Sequence, residues 1–210
     1  ATSSAAASLR WYRDTFCEKE ALEEELGGIS VYQTLDAEAS AVKPGSGGLF
    51  FHPYLMGERS PYWDPKLRGS FVGITASHTR GHFNRAILEG VAYSIKENFN
   101  IAEKLQHIQD VRLVGGGAKS GLWASIICNM LNRPIIRFEK DDSSFGAAML
   151  AGVGIGIFRS HEDAIVACTK ERCRVYPEAT VAELYNTEFS RYRQIHEDLK
   201  DVYSVEQLEK

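Results

Sequence analysis

Three observations predict an α/β layer with partly parallel strands. Short apolar runs alternate with amphipathic stretches after residue 49. The stretch 78–105 carries Phe83, Ile87, Val91, Ile95, Phe99 and Ala102 at spacings of three or four. The apolar run Val111-Arg112-Leu113-Val114 ends abruptly in Gly115-Gly116-Gly117 before a new helical pattern begins. A spacing of three or four marks one face of a helix, and strands joined through helices favour parallel pairing.

Taken in order, residues 3–26 read as one or two helices with Leu9, Tyr12, Phe16 and Leu22 on a recurrent face, stopped by Gly27-Gly28. Asp36 to Val42 reads as a short helix, and Pro44-Gly45-Ser46-Gly47-Gly48 as a loop by composition. Leu49 to Leu55 is a compact apolar run suited to a buried strand. The proline-rich segment from Gly57 to Pro65 follows it, then a second strand over Ser70 to Ile74 and the long helix from His78 to Leu105. Beyond the third strand, Val111 to Val114, a helix is expected from Ser120 or Gly121 to Leu131. Next come a strand over 134–138, a small-faced helix over Ser144 to Ala151, and a last helix over 181–202.

The composition is that of an ordinary globular protein: 210 residues, 44% hydrophobic, 25% charged. A net charge of -4 with no Lys/Arg cluster argues against a nucleic-acid partner, while leaving room for one small polyanion held by backbone amides. Cys17, Cys128, Cys168 and Cys173 are irregularly spaced, as expected of reduced, mostly buried thiols in a cytoplasmic protein, and no metal site is expected from them or from the scattered histidines. No run is long and apolar enough for a membrane span, and the Ala-rich start lacks the charged region of a signal peptide. A start at Ala1 rather than Met suggests a fragment or a processed product.

The glycine turn is the most informative stretch. Glycines lack the Cβ that keeps a ligand at a distance, and amides at a helix start face whatever fills the turn. It is not a Walker A loop, since Lys119 follows Ala118 where that motif needs glycine, and Ser120 stands where the dinucleotide fingerprint needs glycine or alanine. On its own it reads equally as a ligand site or as a tight strand-to-helix turn.

A second element is more specific. Gly69-Ser70-Phe71-Val72-Gly73-Ile74, then Thr75 to Gly81 and His82-Phe83-Asn84-Arg85-Ala86-Ile87-Leu88-Glu89, resembles the second signature of the FGGY carbohydrate kinases. Tyr54 to Asp64 is similar to the family's segment before that signature. Gly115 to Ser120 is similar to its adenosine motif, and Ser144 to Ala151 to its second connecting helix, so the resemblance spans roughly 49–158 and is nearest to xylulokinase-like members. It implies an actin-like ATPase, or ribonuclease H-like, lobe: a mixed sheet flanked by helices, incomplete at its N-terminus. Residues 1–210 would form the C-terminal, nucleotide-side lobe, with a helical lead-in over 1–48, an α/β core over 49–158 and a C-terminal helical region over 159–210.

By the same resemblance, Gly116 and Gly117 would pack under the adenosine, and Ser120 or Gly121 would meet base or ribose. Gly73 and Thr75 would lie near the phosphates or ribose, and Ser144, with Gly146 and Ala147, would border the adenine. Each has a plainer reading: a tight turn, a strand end, helix packing. His82 and Glu89 read as capping or pairing residues and Lys119 as solvent-exposed. Trp63 and Trp123 read as packing anchors, and Glu58 and Arg59 as a structural ion pair or a cleft-facing pair. No catalytic residue is assigned, because the general-base Asp would belong to an N-terminal lobe not in this chain.

The implied activity is transfer of the ATP γ-phosphate to a sugar or polyol hydroxyl, with Mg²⁺ carried on the phosphates. ATP/ADP is the expected partner of this chain and the sugar that of the other lobe. A homodimer stays open, and the chain alone is expected to be inactive. The alternative is a non-catalytic actin-like interaction module.

Overall fold

A computed structural model describes residues 2–139 and 143–203. The chain enters through α1 (Ala5–Phe16), α2 (Glu18–Glu25) and α3 (Val31–Ser40). α3 begins five residues before the expected Asp36, because Glu24 accepts the Val31 amide at 3.2 Å and so satisfies one of the orphan donors of its first turn. β1 (Phe50–His52) pairs antiparallel with β2 (Ser70–Val72), and α4 (Arg80–Leu105) follows.

β3 (Val111–Leu113), α5 (Gly121–Leu131) and β4 (Ile135–Phe138) form a strand–helix–strand unit in which β3 and β4 are parallel. α6 (Ser143–Gly154), α7 (His161–Cys168), β5 (Glu171–Val175) and α8 (Ala179–Leu199) complete the chain, and β5 adds to β4 in antiparallel sense. The second sheet is therefore mixed, in the order β3-β4-β5.

The expected C-terminal helical region over 159–210 contains α7 and α8 and, between them, the strand β5, which the sequence reading did not include; residues 204–210 lie outside the described residues. β5 reads Glu-Arg-Cys-Arg-Val and keeps its charged side chains outward. Its pairing with β4 satisfies the backbone where no apolar alternation announces a strand.

α4 is the axis of the core. Its Ile87, Leu88 and Val91 are almost wholly buried among α3, β1 and α5. At Gly90 the helix presses on β1 so closely that a Cβ there would stand 2.1 Å from the Phe51 carbonyl oxygen. α8 lays an aromatic face against the same core, with Tyr192 stacked on Tyr93 at a centroid distance of 4.8 Å. Burial of such aromatic area is the main stabilising contribution of this face.

Candidate functional site

The glycine turn occupies the C-terminal ends of the parallel strands β3 and β4, the edge where open α/β sheets hold ligands. Gly115 has φ 87, a left-handed conformation that favours glycine, and a single 3₁₀ turn over Gly116–Lys119 follows it. Ala118 donates its amide to the Gly115 carbonyl at 3.0 Å, so the amides of Gly116 and Gly117 precede the first internal bond of the turn.

The two glycines differ in what demands them. A Cβ on Gly117 would lie 2.7 Å from the Trp123 ring, whereas nothing lies within 4 Å of one on Gly116, which faces open space. Gly117 is therefore a packing requirement, and Gly116 is the open floor of the turn.

Ser120 is the N-cap of α5 and accepts the Trp123 amide at 2.9 Å. Its hydroxyl also faces the Asp36 carboxyl on α3 and favours the ionised form. Burial raises the Asp36 carboxyl above its ordinary value, and this contact offsets part of the rise. Gly121 is exposed at the first position of the helix. The Trp123 indole, 5% exposed, donates Nε1 to the Leu88 carbonyl at 3.2 Å and so ties this end of α5 to α4.

Arg137, which sequence reasoning passed over, reaches the turn from β4. Its Nε donates to the Ala118 carbonyl at 2.8 Å and its Nη2 to the Lys119 carbonyl at 3.0 Å.

Gly73 and Thr75 lie in a second turn, between β2 and α4. Gly73 has φ 93, and a Cβ there would come within 2.6 Å of the Gly48 carbonyl oxygen, so the turn is seated on the glycine-rich 45–48 segment. The Thr75 amide donates to His78 Nδ1 at 2.9 Å, and His78 Nε2 donates to the Gly47 carbonyl at 3.2 Å. A ring that accepts at one nitrogen and donates at the other is the neutral tautomer.

Beneath, Glu89 takes the Gly45 amide at 3.0 Å, the Ser46 hydroxyl at 2.7 Å and the Tyr185 hydroxyl at 2.7 Å, and pairs with Arg85 Nε at 2.7 Å. Arg85 also donates to the Val42 carbonyl at 2.8 Å. His82 accepts the Thr79 amide at the start of α4, at 3.1 Å. The expected capping and pairing roles of His82 and Glu89 are thus what the side chains do.

The structure brings Gly116, Gly117, Ser120 and Gly121 together in one turn and Gly73 with Thr75 in another, and α4 connects the two. Ser144 lies on α6, which packs against α7. On that helix Gly146 has open space, and the glycine required by packing is Gly152, where a Cβ would lie 2.7 Å from the Phe158 ring.

Two expectations are corrected in the 58–63 segment. Trp63 is 70% exposed and carries Arg59 over its ring at 5.8 Å, so it anchors nothing. Glu58 does not pair with the Arg59 side chain. It is buried, and accepts the amides of Ser3 at 2.7 Å and Arg59 at 2.8 Å.

Clefts of about 620 Å³ beside Tyr62, Glu97 and Phe189, and of about 300 Å³ beside Arg85 and Tyr185, do not include the glycine turn, which is an open ledge. Among the described residues no cluster of three or more His, Cys, Asp or Glu could hold a metal ion, and no helix is long and apolar enough to cross a membrane.

Against known proteins, the model of the FGGY family of carbohydrate kinases, C-terminal domain, matches residues 1–155. The xylulose kinase of Bacillus subtilis (strain 168) is 35% identical over 203 residues, covering 96% of this chain and 39% of that protein. The gluconokinase of the same organism is 38% identical over 147 residues, 69% of this chain and 29% of that protein. The crystal structure of xylulose kinase from Rhodospirillum rubrum superposes with a TM-score of 0.81 at 26% identity, over 96% of this chain and 39% of that one. The chain therefore spans about two fifths of the length of such relatives.

Proposed function

The chain belongs to the FGGY family of carbohydrate kinases, and on that premise we propose that it supplies the nucleotide-binding side of an enzyme that phosphorylates a sugar or polyol hydroxyl with ATP. The observation that carries this reading is the open ledge at Gly116, at the C-terminal ends of parallel strands, with two leading amides of the 3₁₀ turn and, among the described residues, nothing within 4 Å of a Cβ on Gly116. A nucleoside can lie flat on such a floor, and the exposed Gly121 leaves the adjoining helix start equally accessible.

The turn at Gly73 and Thr75, held by His78 and the 45–48 segment, is the phosphate-side candidate. Ser144 borders the adenine in this reading. Ser120 contributes mainly by capping α5, because its oxygen is already occupied by the Trp123 amide. Phosphoryl transfer depends on positioning and on stabilising charge spread over the phosphates. Mg²⁺ would be carried by the phosphates of ATP, consistent with its preference for few protein ligands. Xylulose is the preferred acceptor, on the likeness to xylulose kinases, with gluconate next.

The test is hydrogen exchange with and without saturating ADP. Protection of the 113–123 backbone is expected in the protein at its full length, and more weakly in the 210-residue chain. Unchanged exchange there would refute the site. The 210-residue chain alone is expected to show no turnover, since the general base belongs to the other lobe in this reading.

A further inference from the structure

We propose that Arg137 is a positioning residue for nucleotide binding, one that locks the glycine turn with its Gly116 and Gly117 amides toward the ligand; this rests on the nucleotide reading above. The 3₁₀ turn has two ends. At its start the amides of Gly116 and Gly117 come before the first internal hydrogen bond, and at its finish the carbonyls of Ala118 and Lys119 have run out of backbone partners of their own.

Arg137 takes both of those carbonyls, through Nε at 2.8 Å and Nη2 at 3.0 Å. Its side chain is brought there by β4, which runs parallel to β3 and so delivers residue 137 beside residue 113, immediately before the turn. Arg137 is 8% exposed and Ala118 is 3% exposed, so the bond between them is shielded from water and stronger for it, while the bond to Lys119 is half-buried.

Gly115, left-handed and open, and Gly116, open, have no Cβ contacts to restrain them. On one side Gly117 rests on Trp123; on the other, Arg137 is the only described side chain that bonds the turn's carbonyls. Without it, a three-glycine segment would sample several backbone conformations, and nucleotide binding would have to select one. A preformed turn avoids that ordering cost. The requirement is for a fork, since two carbonyls of successive residues are met by two nitrogens in fixed geometry, which a lysine ammonium does not reproduce.

The experiment compares Arg137→Lys and Arg137→Met with the unsubstituted protein at its full length. It reads hydrogen exchange of residues 115–121, melting temperature, and KM and kcat for ATP. Faster exchange of the turn in both variants is expected, with a KM for ATP raised about tenfold and kcat within about twofold, because the lost interaction acts equally on ground and transition states. Arg137→Lys should melt within a few degrees of the unsubstituted protein and still show the raised KM. A KM that does not move, whether or not the melting temperature falls, would overturn the role of Arg137 while leaving the nucleotide site standing. Absence of ADP protection at 115–121 in the unsubstituted protein would overturn the site itself, and this inference with it.

Discussion

The Trp123 ring lies directly under Gly117, 2.7 Å from where a Cβ would stand, and the same indole donates to the Leu88 carbonyl on α4. A residue of the glycine turn is thus packed through one side chain onto the central helix of the core.

Gly117→Ala should cost about 1–3 kcal/mol of stability, because neither the ring nor the turn can move without disturbing the α4 contact. Gly116→Ala, with open space around it, should leave folding within about 0.5 kcal/mol of the unsubstituted protein yet weaken ADP binding about tenfold. Thermal melts and ADP titrations of the two variants check the contrast. Equal behaviour of both would contradict the assignment of one glycine to packing and the other to the ligand.

The two tryptophans expected to be anchors should separate in the same manner. Trp123→Ala removes a buried ring and should destabilise by about 3–5 kcal/mol, whereas Trp63→Ala should stay within about 0.5 kcal/mol. Urea denaturation measures both, and a large loss at Trp63 would mean that its ring is covered.

Glu89→Ala should be severe, about 3–5 kcal/mol, since it strands the buried Arg85 guanidinium and releases Gly45 and Ser46. Tyr185→Phe removes only a hydroxyl shared between Arg85 and Glu89 and should cost about 1–3 kcal/mol. The check is the urea midpoint, together with exchange rates of the 45–48 amides, which should rise more in the first variant.

Stability should respond to pH through two buried groups of opposite sign. Burial raises Glu97 from 4.5 to about 7, so its contribution is full below 4.5 and is lost as pH rises to about 7, where the unfolded chain binds fewer protons than the folded one. Burial lowers His52 from 6.5 to about 4; its contribution is full above 6.5 and is lost as pH falls toward 4. Between 4.5 and 6.5 the two slopes oppose each other. Glu97→Gln should expose the His52 slope, so that the urea midpoint falls more steeply on acidification than in the unsubstituted protein. Identical profiles would refute the assignment.

Most elements were legible because their local signals agree with the tertiary outcome. The spacing of α4 is read from Ile87 and Val91, and the apolar run at β1 from Phe50 and Phe51, side chains that end up buried; the β3 run is only half-buried yet ends in an unmistakable glycine turn. α7 had a readable start, since Ser160 accepts the Asp163 amide and Glu162 and Asp163 supply acidic residues to the first turn. Its mostly exposed face gave no apolar stripe to complete the pattern. β5 had no such signal, since its identity as a strand comes from pairing with β4.

At the site, the glycines were visible in the sequence but their division of labour was not, because Trp123 reaches Gly117 only in the folded turn. Arg137 was invisible for a related reason: nothing local distinguishes an arginine that serves the carbonyls of a turn beyond the neighbouring strand from one that faces solvent.

The close contact between Gly90 and Phe51 sets how near the central helix can lie to the sheet. α4 is a rod of about 39 Å, and at a point well inside its length it meets β1 where a Cβ would stand 2.1 Å from the Phe51 carbonyl oxygen. Any side chain at residue 90 would have to lift the helix off the strand. The turn at Gly73 and Thr75 adjoins one end of that helix and the segment leading to the glycine ledge adjoins the other, so a single missing methyl group sets the seat of both.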